Sequence, residues 1–184
     1  VDLAAAPATA DPEPGHGAGE QARLLANRGL AGIDGTLATA AGIALGSARP
    51  VRALVGDLTF LHDLAGLARG PLEREPDLQV VVVNDDGGAI FATLEHGHPR
   101  WSEEFDRVFG TPHGAHLGAL CAGYRVRHRV VEDLDGLREA LAEPVRGCSV
   151  VEVRVSRESV RQEREDLAAA ARPAVVAAFS ADQR

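Results

Sequence analysis

Two short acidic segments are the part of this chain whose residue types and spacing are best suited to chemistry. Asp57 follows the apolar run Val51–Val55, and Asp85 follows the apolar run Leu78–Val83. If the two runs are neighbouring parallel strands, their carboxyl ends lie at one sheet edge, where ligands bind in open α/β sheets. The spacing therefore predicts that the two carboxylates lie close together.

The residues beside these carboxylates suggest what they could bind. Glycines flank both segments, at Gly56, Gly87 and Gly88. Glycine lets backbone approach a ligand closely, and carboxylate and carbonyl oxygens are the ligands that Mg²⁺ prefers. The segments therefore indicate a site for a divalent cation and the phosphate that it carries. The competing interpretation is that they are ordinary turns, because Asp, Asn and Gly dominate turns.

The elements around these segments predict an α/β fold. The run of valines at 80–83 fits a strand that is covered on both faces, and strands alternate with amphipathic segments along the chain. We predict a three-layer, doubly wound domain with a mainly parallel β-sheet flanked by helices. Asp34 or Thr36 is expected to cap the first helix, and Gly46 to end it. The predicted helices are Leu37–Ser47, Leu61–Ala68, Leu117–Ala122 and Asp133–Ala142, and the further strands are Tyr124–His128 and Ser149–Val155.

Composition limits the classes of protein that remain. The formal net charge of −8 argues against a nucleic-acid binder, and the complete absence of lysine excludes a Schiff-base or Walker-type lysine. No apolar run is long enough for a membrane span. The opening VDLAAAPATADPEPG lacks the basic start and long apolar middle of a signal peptide, so a cytoplasmic location is expected. We predict a linker at 1–20 and one domain at 21–184. Because the chain also lacks methionine, we expect a fragment of a longer protein.

Four sequence blocks together resemble a known family. GDLTFLHDLAGL at 56–67 and VVVVNDDGGAIF at 80–91 resemble the thiamin-diphosphate signature, GDG with a later NN or DN pair. NRGLAGIDGTLATAAG at 27–42 and FGTPHGAHLGALCAGY at 109–124 look like the menaquinone-pathway synthase of 2-succinyl-5-enolpyruvyl-6-hydroxy-3-cyclohexene-1-carboxylate (MenD type), in its actinobacterial form. The resemblance runs from about Ala26 to Val155.

The resemblance implies a role for individual residues. Asp57 and Asp85 match side-chain ligands of Mg²⁺ or Mn²⁺, with the carbonyl of Gly87 as the third ligand, and Asp85 stands where many relatives have Asn. Ile33 matches the apolar residue beneath the bent cofactor, thiamin diphosphate. The other residues that match cofactor contacts are Gly32, Gly56, Leu58, Thr59, Gly88 and Ile90. Arg28, whose planar fork suits a substrate carboxylate, Phe91 and Leu94 match substrate contacts.

The resemblance also implies an activity and an assembly. The family decarboxylates 2-oxoglutarate and adds the resulting succinyl carbanion to isochorismate. It works as a homodimer or homotetramer with the active site at the subunit interface, and the activating Glu comes from an N-terminal domain of the partner. We therefore expect no catalytic side chain in this chain. A non-catalytic module with a degenerate cofactor site, or another thiamin-diphosphate-dependent 2-oxo-acid decarboxylase or ligase, remains the alternative.

The histidines and cysteines suggest no metal site of their own. His96 and His98 are expected in a loop near the substrate mouth, and the pair His113 and His116 is given the same interpretation. Cys121 and Cys148 lie 27 positions apart without metal-ligand spacing, and they are predicted to be buried free thiols.

Overall fold

The computed structural model describes residues 23–27, 32–157 and 160–181. The chain divides into two compact units, Val1–Gly32 and Ile33–Arg184, and each is considered by itself. In the first unit, the described residues 23–27 and Gly32 form neither helix nor strand. The predicted linker at 1–20 lies outside the described residues.

The second unit contains a parallel β-sheet of four strands among the residues described. The strands are β1 (Val51–Gly56), β2 (Leu78–Asn84), β3 (Arg127–Val131) and β4 (Cys148–Arg154). Their order across the sheet is β1-β2-β4-β3, and every neighbouring pair is parallel. The predicted parallel α/β sheet is therefore confirmed, with β1 and β2 side by side.

The predicted strand Tyr124–His128 begins too early. Arg125 has a left-handed backbone φ of 60°, and the Val126 amide donates to the Cys121 carbonyl at 2.9 Å. These residues complete the turn that ends the preceding helix, so β3 begins only at Arg127. The apolar character of the segment did not reveal this turn.

Helices cover both faces of the sheet. The helices are α1 (Thr36–Ser47), α2 (Asp57–His62), α3 (Ser102–Phe105), α4 (Leu117–Gly123), α5 (Leu134–Ala142) and α6 (Val160–Ala181). Shorter 3-10 turns cover Leu64–Leu67, Ala89–Thr93, Glu95–Gly97 and Pro99–Trp101, and a π-helical turn covers Asp106–Gly110. No helix in the described part of the chain is long and apolar enough to cross a membrane.

The core has two parts, one on each face of the sheet. On one face, Val80 and Val150 of the central strands pack with residues of α1, α2 and α4, including the fully buried Phe60. On the other face, Val151 of β4 packs with Ala140 of α5. This arrangement of helix, sheet and helix confirms the predicted three-layer fold.

Helix α1 is capped by a residue from outside its own sequence. Neither Asp34 nor Thr36 provides the predicted cap, since Gly35 occupies the N-cap position in a left-handed conformation without a side-chain bond. Instead, Asp63 Oδ2 accepts the backbone amides of Leu37 at 2.6 Å and Ala38 at 3.0 Å. The predicted last residue of the helix, Ser47, is confirmed, but Ala48 and not Gly46 provides the left-handed C-cap.

The same aspartate separates two helical segments that were predicted as one. The predicted helix Leu61–Ala68 is in fact the end of α2 followed by the turn Leu64–Leu67, with Asp63 between them. Asp63 adopts a φ of −113°, outside the helical range, and its carboxylate is the acceptor that caps α1. The helix after β1 therefore begins earlier than predicted, at Asp57 itself.

The two cysteines are both free. Cys121 is fully buried in the core, where burial, followed by the neighbouring Cys148 and Glu152, raises the pKa of its thiol to about 11. Cys148 is only half-buried. The prediction of a buried thiol is therefore correct for Cys121 and overstated for Cys148.

Candidate functional site

The two acidic segments meet at one edge of the sheet, as the spacing predicted. Asp57 is the first residue of α2, directly after β1, and Asp85 directly follows β2. In the register of these strands, Gly56 pairs with Val83. Neighbouring strands lie about 4.8 Å apart, so the loops that follow them begin side by side.

Asp57 is held by hydrogen bonds on both of its carboxylate oxygens, and only 2% of the residue is exposed. Its Oδ1 accepts the backbone amide of Leu58 at 2.6 Å. Its Oδ2 accepts the backbone amide of Gly87 at 2.8 Å and lies 3.1 Å from His113 Nε2. The carboxylate thus connects the ends of β1 and β2 with a third segment.

Asp85 has a buried oxygen without a partner. In the described part of the chain, its Oδ1 is one of two buried side-chain atoms that lack a hydrogen bond. Burial, and then the neighbouring charge of Asp57, raise the pKa of Asp85, while the Ala89 amide and Arg157 act in the opposite direction. Buried carboxylate oxygens are rarely left unpaired, because an unmade bond is costly.

This unpaired oxygen beside a second carboxylate fits a divalent cation. No group of three or more His, Cys, Asp or Glu side chains is positioned for a metal in the described ranges. A cation here would therefore need oxygens from the backbone and from a bound ligand as well. Such a mixed oxygen set is how Mg²⁺ is usually held, with few carboxylates and substrate phosphates.

Gly87 and Gly88 are required by close packing. Gly87 has a φ of 137°, and a Cβ there would lie 2.1 Å from the Gly110 carbonyl oxygen. A Cβ on Gly88 would lie 2.4 Å from the Phe109 carbonyl oxygen. Both values are far below a possible contact, so no side chain fits at either position. A Cβ on Gly56, in contrast, would meet no atom within 4 Å.

A loop from the second half of the domain completes this edge. The Gly88 amide donates to the Gly110 carbonyl at 2.7 Å. Asp86 Oδ1 accepts the backbone amides of His113 at 3.2 Å and Gly114 at 2.8 Å. His113 lies in a loop, as expected, and its ring contacts Asp57; its place at the substrate mouth stays a prediction. The position of His113 within the FGTPHG block was the available signal.

A buried glutamate on β4 braces the loop after β2. Glu152, which is 2% exposed, accepts Asn84 Nδ2 and Arg154 Nε on its Oε1, each at 2.9 Å. Its Oε2 lies 2.9 Å from His128 Nε2. Asn84 Oδ1 in turn accepts the Asp86 amide at 3.0 Å. Glu152 was not predicted as a site residue; the only signal in the sequence was a charged residue within an apolar strand.

Hydrogen bonding determines the charge of this glutamate. Burial alone would raise the pKa of Glu152. Hydrogen bonds from Arg154 and Asn84, the charge of Arg154 and a hydrogen bond from His128 outweigh burial and lower the pKa. Glu152 is therefore ionised in the folded protein at neutral pH.

A cavity of about 360 Å³ lies beside the acidic loop. Its walls come from the ends of β2 and β4 and from the His113 loop, namely Asn84, Asp85, Asp86, Gly114, Ala115, Glu152, Arg154 and Val155. A cavity of about 430 Å³ at the end of β3 contains none of the predicted site residues. The smaller cavity is the relevant one, since it is lined by Asp85.

The predicted apolar contacts lie on the turn after the glycines. Ile90, Phe91 and Leu94 are 36%, 38% and 49% exposed, so each presents an apolar surface to solvent. The ring of Phe91 lies 6.2 Å from that of Phe109, in a tilted arrangement. These exposed side chains are available to contact a ligand.

The other predicted contacts lie in α2, just before α1 and in the first unit. Leu58 and Thr59 lie in the first turn of α2 and are half-buried. Ile33 precedes α1 and is 38% exposed. Gly32 belongs to the first unit, where it is exposed. Arg28 lies outside the described residues, so its predicted role stays a prediction.

Comparison with known proteins identifies the class to which this fold and site belong. Residues 16–153 match the family described as "Thiamine pyrophosphate enzyme, C-terminal TPP binding domain". The match covers most of the chain, and the chain therefore belongs to this family of thiamin-diphosphate-binding domains.

Within this class, the chain is similar to proteins named 2-succinyl-5-enolpyruvyl-6-hydroxy-3-cyclohexene-1-carboxylate synthase. It is 52% identical to the protein of Nocardioides sp. over 80% of this chain and 28% of that protein. For Paenarthrobacter aurescens the identity is 52%, over 88% of this chain and 27% of the relative. For the protein of Rhodococcus erythropolis the identity is 54%, over 76% of this chain and 26% of the relative. The chain thus spans about a quarter of the length of these relatives.

A solved structure has a similar fold. The chain aligns with benzoylformate decarboxylase from Polynucleobacter necessarius with a TM-score of 0.51 and 26% sequence identity. The alignment covers 66% of this chain and 23% of the other. The similarity supports a shared fold, although this sequence identity is lower than the identity with the synthases.

Proposed function

We propose that this chain is the cofactor-binding part of a synthase that decarboxylates 2-oxoglutarate and joins the product to isochorismate. The product would be 2-succinyl-5-enolpyruvyl-6-hydroxy-3-cyclohexene-1-carboxylate, in menaquinone biosynthesis. The observation that carries the proposal is the 52–54% identity with proteins of that name. The paired carboxylates at the sheet edge agree with it, because the synthase reaction depends on a bound thiamin diphosphate.

The metal is proposed to be Mg²⁺ or Mn²⁺, held by Asp57, Asp85 and the Gly87 carbonyl. The unpartnered Asp85 oxygen supports this, since a cation would satisfy it. It would also offset the repulsion between the two neighbouring carboxylates. The backbone around Gly56, Leu58, Thr59 and Gly88 is proposed to hold the cofactor diphosphate.

The remaining residues are proposed to position the cofactor ring and the substrate. When bound, thiamin diphosphate supplies the nucleophilic carbon and the electron sink for decarboxylating a 2-oxo acid. Gly32, Ile33 and Ile90 would support its rings. Phe91 and Leu94 would keep water from the reacting atoms, and Arg28 would bind a substrate carboxylate through its guanidinium fork.

The assembly is proposed to be larger than this chain. Residues 21–184 would be one domain of a three-domain enzyme, preceded by a linker at 1–20. The enzyme would be a cytoplasmic homodimer or homotetramer with its active site at the subunit interface. The activating Glu would come from an N-terminal domain of the partner subunit. Light scattering of the natural full-length protein would test the subunit number.

An assay of the natural full-length protein tests the activity. With Mg²⁺, thiamin diphosphate, 2-oxoglutarate and isochorismate, we expect the succinylated product by mass spectrometry. Asp57→Ala should lose cofactor binding, whereas Asp135→Ala, at an exposed position on α5, should retain it. If Asp57→Ala binds the cofactor normally, the metal assignment is wrong.

The second candidate is a different thiamin-diphosphate-dependent decarboxylase or ligase, which the structural similarity to benzoylformate decarboxylase favours. The same assay with benzoylformate and other 2-oxo acids distinguishes it. Turnover of one of these acids without the succinylated product would support the second candidate. Cofactor binding without turnover of any 2-oxo acid would instead support a non-catalytic module.

A further inference from the structure

His113 connects its loop directly to the proposed metal site. Its Nε2 lies 3.1 Å from Asp57 Oδ2, and only 13% of its side chain is exposed. The backbone on both sides is fixed, because Asp86 Oδ1 accepts the amides of His113 and Gly114. The ring is therefore held in place from a segment that no predicted cofactor contact includes.

The hydrogen bonds of the ring define its tautomer. The Ala115 amide donates to His113 Nδ1 at 2.9 Å, so Nδ1 is the acceptor. Asp86 Oδ1 also lies 3.4 Å from Nδ1, but this oxygen already accepts two backbone amides. With Nδ1 as an acceptor, the ring nitrogen that carries a proton is Nε2, which donates it to Asp57.

The hydrogen bond from His113 determines which carboxylate oxygen of Asp57 remains available to a cation. A carboxylate oxygen has about two acceptor positions. Oδ2 accepts both the Gly87 amide and His113, so its two positions are filled. Oδ1 accepts only the Leu58 amide among the described residues and keeps one position open. The other open oxygen is Oδ1 of Asp85.

We propose that His113 is a positioning residue that fixes the carboxylate of Asp57 and directs the cation to Asp57 Oδ1. The inference rests on the proposed metal site. Groups that orient a metal ligand through a hydrogen bond are worth about tenfold to a hundredfold in metal affinity. His113 would act through Asp57 and would not itself bind the metal.

The test measures Mn²⁺ affinity by electron paramagnetic resonance on the natural full-length protein with thiamin diphosphate present. His113→Phe keeps a ring without a donor, and we expect its Mn²⁺ dissociation constant to rise about tenfold to a hundredfold. His113→Gln keeps an N–H donor of similar reach and should recover most of the affinity. The matched control is His116→Asn, because His116 caps α4 through its own ring and Asn is also a good N-cap.

Two results would overturn the role of His113 while leaving the proposed metal site intact. One is wild-type Mn²⁺ affinity in His113→Phe. The other is a proton on Nδ1 of His113 in long-range nitrogen–proton spectra of the metal-free protein, a readout that does not depend on the folding of any variant. If the wild type itself binds no Mn²⁺ with the cofactor, the proposed metal site fails, and the inference with it.

Discussion

The carboxylate of Asp57 accepts the backbone amide of Gly87 at 2.8 Å, across the ends of two neighbouring strands. This bond joins two of the three proposed metal ligands before any cation is present. The same bond holds the loop after β2 against the end of β1. The site is thus partly organised by the protein alone.

Removing the Asp85 carboxylate should have opposite effects with and without the cation. In Asp85→Ala, we expect the affinity for the cation to fall roughly tenfold to a hundredfold, the equivalent of one lost contact to a charged group. Without cation, the variant should unfold at a higher temperature than the wild type, because it lacks an unpaired buried oxygen beside Asp57. Thermal unfolding with and without Mg²⁺ measures both effects. Asp85→Asn, which keeps an oxygen, should bind the cation better than Asp85→Ala; equal affinities would contradict the assignment.

Gly87→Ala should disrupt the loop. The added Cβ would lie 2.1 Å from the Gly110 carbonyl oxygen, and the φ of 137° is strained for alanine. We expect a loss of about 1–3 kcal/mol in the free energy of unfolding, together with loss of cofactor binding. The matched control is Gly46→Ala, inside α1 with no atom within 4 Å, which should stabilise the protein by about 0.5–1 kcal/mol. Chemical denaturation compares the two, and similar effects would refute the packing argument.

Asp63→Ala should weaken helix α1. The variant leaves the amides of Leu37 and Ala38 without the acceptor that caps the helix. Loss of such a cap costs about 0.5–2 kcal/mol of stability. Asp63→Asn, which keeps an acceptor oxygen, should lose less than Asp63→Ala in urea unfolding. An unchanged midpoint in Asp63→Ala would show that water replaces the cap without cost.

Glu152 should make stability depend on pH in the acid range. Its folded pKa is lowered, and its ordinary value is 4.5. A lowered pKa contributes stability that is fully present above the ordinary value and is lost as the pH falls from there through the folded value. The wild type should therefore lose stability more steeply below about pH 4.5 than Glu152→Gln, which cannot titrate at this position. Near neutral pH, Glu152→Gln should be less stable by about 1–3 kcal/mol.

Urea unfolding at a series of pH values measures this difference. His128 and Arg154 also contact Glu152, so the comparison with Glu152→Gln is needed to isolate the carboxylate. Parallel profiles for the two proteins below pH 4.5 would contradict the assignment of the slope to Glu152.

The pattern of neighbouring residues was sufficient to predict where the two acidic loops lie. It was insufficient to predict the hydrogen bonds that hold these loops in place. The strands that carry Asp57 and Asp85 are apolar runs ended by glycine and acidic residues, so the order of residues alone placed both carboxylates. The supporting bonds join residues far apart in the chain. The bond from Asp63 spans 26 positions, the one from His113 spans 56 and the one from Glu152 spans 68. Periodicity reports on neighbouring residues and carries no signal for such pairs.

The sheet order also has a consequence for how the protein folds. Val80 of β2 pairs with Ala53, 27 positions earlier, and with Val150, 70 positions later. Closing the longer loop costs about 0.8 kcal/mol more chain entropy by the logarithmic loop law, and distant pairings form more slowly. The two acidic loops can therefore meet while the chain is still only partly folded. The hydrogen bond from Asn84 to Glu152 can form only once β4 has joined the sheet, so this sheet edge reaches its final shape late in folding.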